Sequence, residues 1–183
     1  SWYLLSAMDE DSPYIIPGEE QSFSLLGGRS ISNIFRFRRT LEEASHFGIL
    51  ATDRRMVNSD GSGSVVGFDT RYKFNKTYQV ELQTLFSKTQ EPTDSLLVSN
   101  ATFGNDNNFT FDGESFTGNA VELEFRRETE HWGLETGYDH KTPTFRADNG
   151  FISNNNKRRV YLQSFWVYTP DKLISKIVGG FHT

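Results

Sequence analysis

Between residues 121 and 126 the side chains alternate strictly, with Val121, Leu123 and Phe125 apolar and Glu122, Glu124 and Arg126 charged. A few residues on, Trp132, Leu134, Thr136 and Tyr138 alternate with Gly133, Glu135, Gly137 and Asp139. A period of two puts each set on its own face of a β-strand. The same reading predicts strands over residues 2–8, 31–40, 46–56, 64–74, 78–89, 118–128, 132–141, 158–169 and 173–182. Their connections come in two sizes. Leu41 to Ser45, Asn75 to Thr77, Thr129 to His131 and Pro170 to Lys172 are tight turns, whereas 9–30, 57–63, 90–117 and 142–157 are long and rich in Gly, Asn, Asp, Ser and Pro. Short and long connections alternate along the chain, as they do in an antiparallel up-and-down transmembrane β-barrel whose short turns face the periplasm. The expected fold is therefore all-β, and residues 1–183 read as one barrel segment without a linker or composition break.

The two faces predict opposite environments. Phe68, Tyr72, Val80, Leu82, Val121, Leu123, Phe125, Leu134 and Tyr138 are expected to face lipid, and Asp69, Arg71, Glu81, Gln83, Glu122, Glu124 and Glu135 the lumen, because charge in hydrocarbon is costly. Opposite charges on neighbouring strands pair across a ladder, so the lumen set reads first as a satisfied polar interior, with transport selectivity or catalysis as the alternative. Phe47, Phe74, Tyr78, Trp132 and Tyr168 lie near the short turns, where an interfacial aromatic belt belongs. Packing of a sandwich core would also use aromatics, but it leaves the loop asymmetry unexplained. Arg39 and Arg127 fall on the lipid-side parity at the short-turn ends, from which long cationic stems reach the headgroups.

Composition narrows the class further. Only 36% of the residues are hydrophobic, the mean hydropathy is -0.56, and no run approaches the ~20 apolar residues of a membrane-spanning helix. The absence of cysteine removes disulfide frameworks and thiolate metal sites. A formal net charge of -5 argues against nucleic acid as a partner, despite the cluster Arg36, Arg38 and Arg39. The chain opens on the strand-like Trp2, Tyr3, Leu4 and Leu5 without the features of an export signal, so it is expected to be a mature or excised piece.

At Thr142-Pro143-Thr144-Phe145-Arg146-Ala147-Asp148-Asn149-Gly150-Phe151-Ile152, followed by Lys157-Arg158-Arg159, the sequence resembles the "sP.FRaD.GFi…rR" signature of a bacterial outer-membrane β-barrel family of unassigned function. Asn33-Ile34-Phe35-Arg36-Phe37-Arg38-Arg39, Gly48-Ile49-Leu50-Ala51-Thr52-Asp53-Arg54 and Val66-Gly67-Phe68-Asp69-Thr70-Arg71 look like its "vlRlrRdl…iGllatdR…v.GfD.r" stretch. The resemblance covers about residues 31 to 169, in the same order along the chain. It implies a bacterial outer-membrane location and a glycan connection, since the barrel of that family usually follows a carbohydrate-binding-like domain of the family 9 type. It carries over no catalytic residue and no cofactor. Bacterial single-chain barrels close with an even strand number, and nine strands fall short of the family's usual count. The chain is thus expected to be a segment, completed by the remaining barrel strands or a partner subunit.

The loop motif Phe145, Arg146 and Asp148 is expected to be held by hydrogen bonds within the barrel mouth, either as a fixed loop fold or as a ligand site. Asp106, Asp112 and Glu114 gather hard oxygen ligands suited to calcium, yet they lack the full spacing of a calcium loop and match ordinary surface-loop composition. Three Asn-Xaa-Thr sequons, at Asn75, Asn100 and Asn108, carry little weight in a bacterial setting. His46 and His131 read as turn residues, and the four histidines are too scattered for a local metal pair. No nucleophile elbow, phosphate loop or zincin motif occurs. Three classes follow: a membrane-embedded barrel serving as pore or anchor for a surface module, a surface glycan hydrolase using carboxylates such as Glu122, Glu124, Glu135 or Asp139, and a soluble all-β ligand-binding module.

Overall fold

In a computed structural model, residues 1–20, 22–94, 99, 101–104, 107–150, 152, 154–168 and 177–182 are described. The strands in chain order are β1 (Trp2–Asp9), β2 (Pro13–Pro17), β3 (Ser22–Leu26), β4 (Ser30–Thr40), β5 (His46–Met56), β6 (Ser62–Phe74), β7 (Tyr78–Gln90), β8 (Thr102–Phe103), β9 (Asn107–Asn108), β10 (Ser115–Glu128), β11 (Trp132–Lys141), β12 (Lys157–Tyr168) and β13 (Ile177–His182). Nine of them form one antiparallel sheet in the order β1-β4-β5-β6-β7-β10-β11-β12-β13. Each strand of this sheet pairs with the next in sequence, so the topology is an up-and-down meander. Among the described residues the sheet is open, with β1 and β13 as its edges.

All nine expected strands are present, because each obeys the period of two and most are joined through a tight turn or a local hairpin. The expected turn Pro170 to Lys172 and the start of the last predicted strand, 173–176, lie outside the described residues. Two long connections are more structured than their composition implied. The segment 9–30 contains the β2–β3 hairpin, and 90–117 contains the short β8–β9 ladder and the first residues of β10. The sequence signal was present in the two short apolar runs around Gly18-Glu19-Glu20, a hairpin pattern too brief to stand out from loop composition. At the β6–β7 turn, Asn75 and Lys76 both take left-handed backbone angles (φ 51° and 55°), and the Thr77 N–H closes the reversal on the Phe74 carbonyl at 3.3 Å.

The register assembles polar and apolar rows on opposite faces. On one face, Arg38, Gly48, Asp69, Gln83, Glu122, Asp139 and Arg159 stand side by side across seven strands. One residue along, the other face carries Phe47, Thr70, Leu82, Leu123, Tyr138 and Val160. The long connections fold over the first of these, hereafter the inner face. There, at the long-loop end, sits the tightest apolar packing, a cluster of Tyr14, Ile16, Met56 and Phe111 joined by the half-buried Leu25 and Phe109. Val65, Phe116 and Ala120 of the inner face are buried beside it. The outer face is the reverse: Trp2, Leu4, Met8, Phe35, Ile49, Val66, Phe68, Tyr72, Phe86, Leu123, Val160, Trp166 and Tyr168 are all exposed.

Candidate functional site

The inner face toward the short turns is a field of paired charges. Both terminal guanidinium nitrogens of Arg36, Nη1 and Nη2, donate to the Asp69 carboxylate across the intervening β5, and His46 Nε2 lies 3.4 Å from the same carboxylate. Arg71 donates to both oxygens of Glu81, at 2.9 and 3.2 Å, while Gln79 Nε2 donates to Glu81 Oε1 at 2.6 Å. Arg126 pairs with Glu124 at 2.9 Å and with Glu135 at 3.2 Å, and the Tyr161 hydroxyl donates to Glu124 at 3.0 Å. Gly48 lies beneath the Arg36–Asp69 pair and Gly137 beneath the Tyr161 ring, where any Cβ would press on those side chains. These bridges over glycine reach two strands away, farther than the neighbour pairing that strand parity foretells.

Of the residues expected to line the lumen, Asp69, Arg71, Glu81, Gln83, Glu122, Glu124 and Glu135 all share this inner face. Gln83 and Glu122 are exposed at its centre. His46 departs from expectation: it opens β5 and its side chain is buried among Asp69 and Arg38, with Arg38 Nη2 3.1 Å from its Nδ1. Its neighbour Ser45, not His46, closes the turn, through the Ser45 carbonyl that accepts the Leu41 N–H at 2.7 Å. His131 is a bend residue, as expected. Among the hydrolase candidates, Glu124 and Glu135 are both committed to Arg126, and Glu122 stands opposite Asp139.

At the long-loop end the 142–157 connection crosses the inner face as a strap. Phe145 is fully buried at 0% exposure, and its backbone lies against Gly118 of β10 so closely that a Cβ there would collide with it. Arg146 N–H donates to Ser87 Oγ of β7 at 3.3 Å. Its guanidinium bonds to Glu91 Oε1 at 2.8 Å, both side chains being almost wholly buried. Asp148 lies 3.4 Å from Arg146 Nε, an ion pair without an aligned hydrogen bond. The Asp148 carbonyl accepts from Arg54 Nη1 of β5 at 2.9 Å. Arg54 is buried and also holds the hairpin, donating to the Pro13 carbonyl at 2.9 Å and to Ser12 Oγ. The Tyr14 ring lies within cation–π range of both arginines, 5.6 Å from Arg54 and 5.9 Å from Arg146. Phe145, Arg146 and Asp148 are thus held against the inner face by residues of β5, β7 and β10. Nothing in the residue pattern marks Arg54, Glu91 or Tyr14 as their partners. The one available signal was parity, since Ser87, Thr89 and Glu91 continue the inward positions of β7.

Burial dominates the electrostatics of this network. It pushes the Glu91 carboxyl up to about 7 against the pull of Arg146, with the Glu114 and Asp112 charges adding to the push. Burial, reinforced by the Asp148 carboxylate, likewise pushes the Tyr14 phenol up to about 12. Two of the three calcium candidates, Asp112 and Glu114, meet Glu91, with oxygens of all three side chains within 4.8 Å of one another. Asp106 lies outside the described residues. Between the β2–β3 hairpin and residues Ala101, Thr102, Phe103 and Phe109 is a largely apolar cavity of about 480 Å³ whose walls also include Phe23, Leu25, Pro143 and Asn155.

Comparison with protein-family models, with curated proteins and with solved structures finds no match for this chain. The class that the geometry defines is an all-β antiparallel meander with an ion-paired inner face strapped by a loop at one end.

Proposed function

We propose that this chain forms an arc of the wall of a transmembrane β-barrel in a bacterial outer membrane, with the long connections at the cell surface and the short turns toward the periplasm. The barrel anchors a surface module, and the sequence resemblance to the family 9-linked barrels connects that module to glycans. The observation carrying this reading is the inversion between faces: large apolar side chains stand exposed on the outer face while the charges pair on the inner one. Water makes such an arrangement unfavourable over so wide an area, and lipid makes it favourable.

Three further features support it. A chain of outer-face rings runs beside the short turns, from Phe37–Phe47 through Tyr72, Phe74, Tyr78 and Phe125, and ends at Trp132, over which Arg127 sits at 4.2 Å. That is the make-up of an interfacial girdle. On β10, only Val121, Leu123 and Phe125 lie on the outer face between Asn119 and Arg127, a span of ~27 Å along the strand at ~3.4 Å per residue. The strand ends are also staggered. Thr40 aligns through the ladder with Tyr161, whereas β12 runs on to Tyr168. With the short turns in one plane, this drift over six strand spacings gives a tilt of about 40°, in the range of closed barrels.

The edges β1 and β13 cannot stay unpaired in hydrocarbon, so the remaining strands of the barrel, or a partner subunit, complete the wall. The strap and hairpin over the inner face favour an anchor with an obstructed lumen over an open channel. The test is solubility combined with lipid access. The purified protein is expected to need detergent, and brominated lipid is expected to quench Trp132 and Trp166, both on the outer face. A monodisperse monomer that melts cooperatively in plain buffer would refute the assignment. It would favour a soluble ligand-binding module, the reading to which the apolar cavity among the loops otherwise points.

A further inference from the structure

We propose that the rim of Glu91, Asp112 and Glu114 is a calcium site that locks the 107–114 segment onto the end of β7. The three side chains converge from both sides of one ladder. The Glu91 N–H donates to the Glu114 carbonyl at 2.9 Å, and Thr93 bridges Asp112 two residues further on. Glu91 and Glu114 thus stand directly opposite one another, with Asp112 beside them, an arrangement of like charges that costs stability unless a cation offsets it.

One observation beyond the convergence of carboxylates points to a ligand. Arg146 takes only one oxygen of Glu91; the other, Oε2, is sealed from solvent and accepts no hydrogen bond, although the side chain is just 2% exposed. Buried polar atoms left in this way cost free energy, and a bound cation removes that cost for oxygen acceptors. The local charge agrees: three carboxylates converge, and Arg146 pairs with Glu91 and Asp148. The Asn108 amide spans Asp112 and Glu114 at 3.1 Å each, which fixes their positions without supplying charge. Carboxylate oxygens on a half-exposed loop suit a hard cation of flexible coordination, which favours Ca²⁺ over Mg²⁺.

The site is tested by stripping the purified protein with EDTA and titrating it with CaCl₂ and, separately, MgCl₂ in a calorimeter. One class of Ca²⁺ site is expected, with Mg²⁺ at least tenfold weaker, and saturating CaCl₂ should raise the melting temperature by several degrees. Asp112→Asn and Glu114→Gln should each weaken Ca²⁺ binding at least tenfold. In EDTA they should melt no lower than the parent, since they relieve repulsion, so the order of stabilities reverses when calcium is added. Glu91→Gln strips Arg146 of its charged partner and risks misfolding, so the rim variants decide. No calcium heat and no shift in melting, or binding undiminished in both rim variants, would overturn the proposal. The measurement is the same in detergent or in plain buffer, so its outcome is independent of the membrane assignment.

Discussion

Leu123→Arg separates a lipid-facing wall from a water-facing one. Leu123 lies on the outer face of β10 with 43% of its surface exposed, flanked across the ladder by Leu82 and Tyr138. It is four residues from Asn119 and four from Arg127, or ~14 Å along the strand in either direction at ~3.4 Å per residue. At a tilt near 40° that is about 10 Å of depth, too far for a guanidinium to reach the headgroups without distorting its surroundings. In a bilayer the substitution should therefore cost roughly 2 to 4 kcal/mol, whereas at a half-exposed position in water it should cost about 0.5 kcal/mol or less. Gln83→Arg is the control: it adds the same charge to the exposed centre of the inner face, opposite Glu122, and should be nearly neutral. Both variants are compared with the parent by denaturant titration after refolding into phosphatidylcholine vesicles, followed by tryptophan emission. If Leu123→Arg proves as stable as Gln83→Arg, the outer face does not meet lipid and the reasoning fails.

Other expectations concern the strap and its partners. Phe145→Ala removes a fully buried ring and should cost about 3 to 5 kcal/mol, with the strap becoming open to trypsin at Arg146, as followed by mass spectrometry. Gly118→Val should release the same strap while leaving Phe145 itself intact, because its side chain would occupy the place of the 144–145 backbone; equal protease resistance to the parent would contradict the close packing. Glu91 makes stability pH-dependent in a definite direction. Its folded pKa lies above the usual carboxyl value, so the folded state holds the proton longer, and in calcium-free buffer stability should fall as pH rises from about 4.5 to about 7. The magnitude is about 2 to 3 kcal/mol, and Glu91→Gln should flatten that slope in melting experiments.

What the amino-acid sequence determined by itself was everything governed by the period of two. Neighbouring strands joined by short connections pair locally, so parity along each strand decides which side chains share a face. That is why the sequence alone assigns Asp69, Glu81 and Glu124 to the face opposite Phe68, Leu82 and Leu123. The family resemblance and the loop composition around them singled out Phe145, Arg146 and Asp148, but without partners. The partners were decided only by tertiary structure. Glu91 meets Arg146 across 55 residues of chain and Arg54 meets Asp148 across 94, and no local period relates positions so far apart. Likewise His46 resembled a turn residue until the pairing of β5 with β6 carried it beside Asp69. The β2–β3 hairpin owes its place to burial of Tyr14 and Ile16 against Met56 and Phe111, a long-range gain that its brief, proline-flanked strands do not announce. Strand identity follows from short-range alternation, which a sequence displays directly. The folding of long loops over a face follows from desolvation and charge pairing between distant segments, which only the assembled chain brings together.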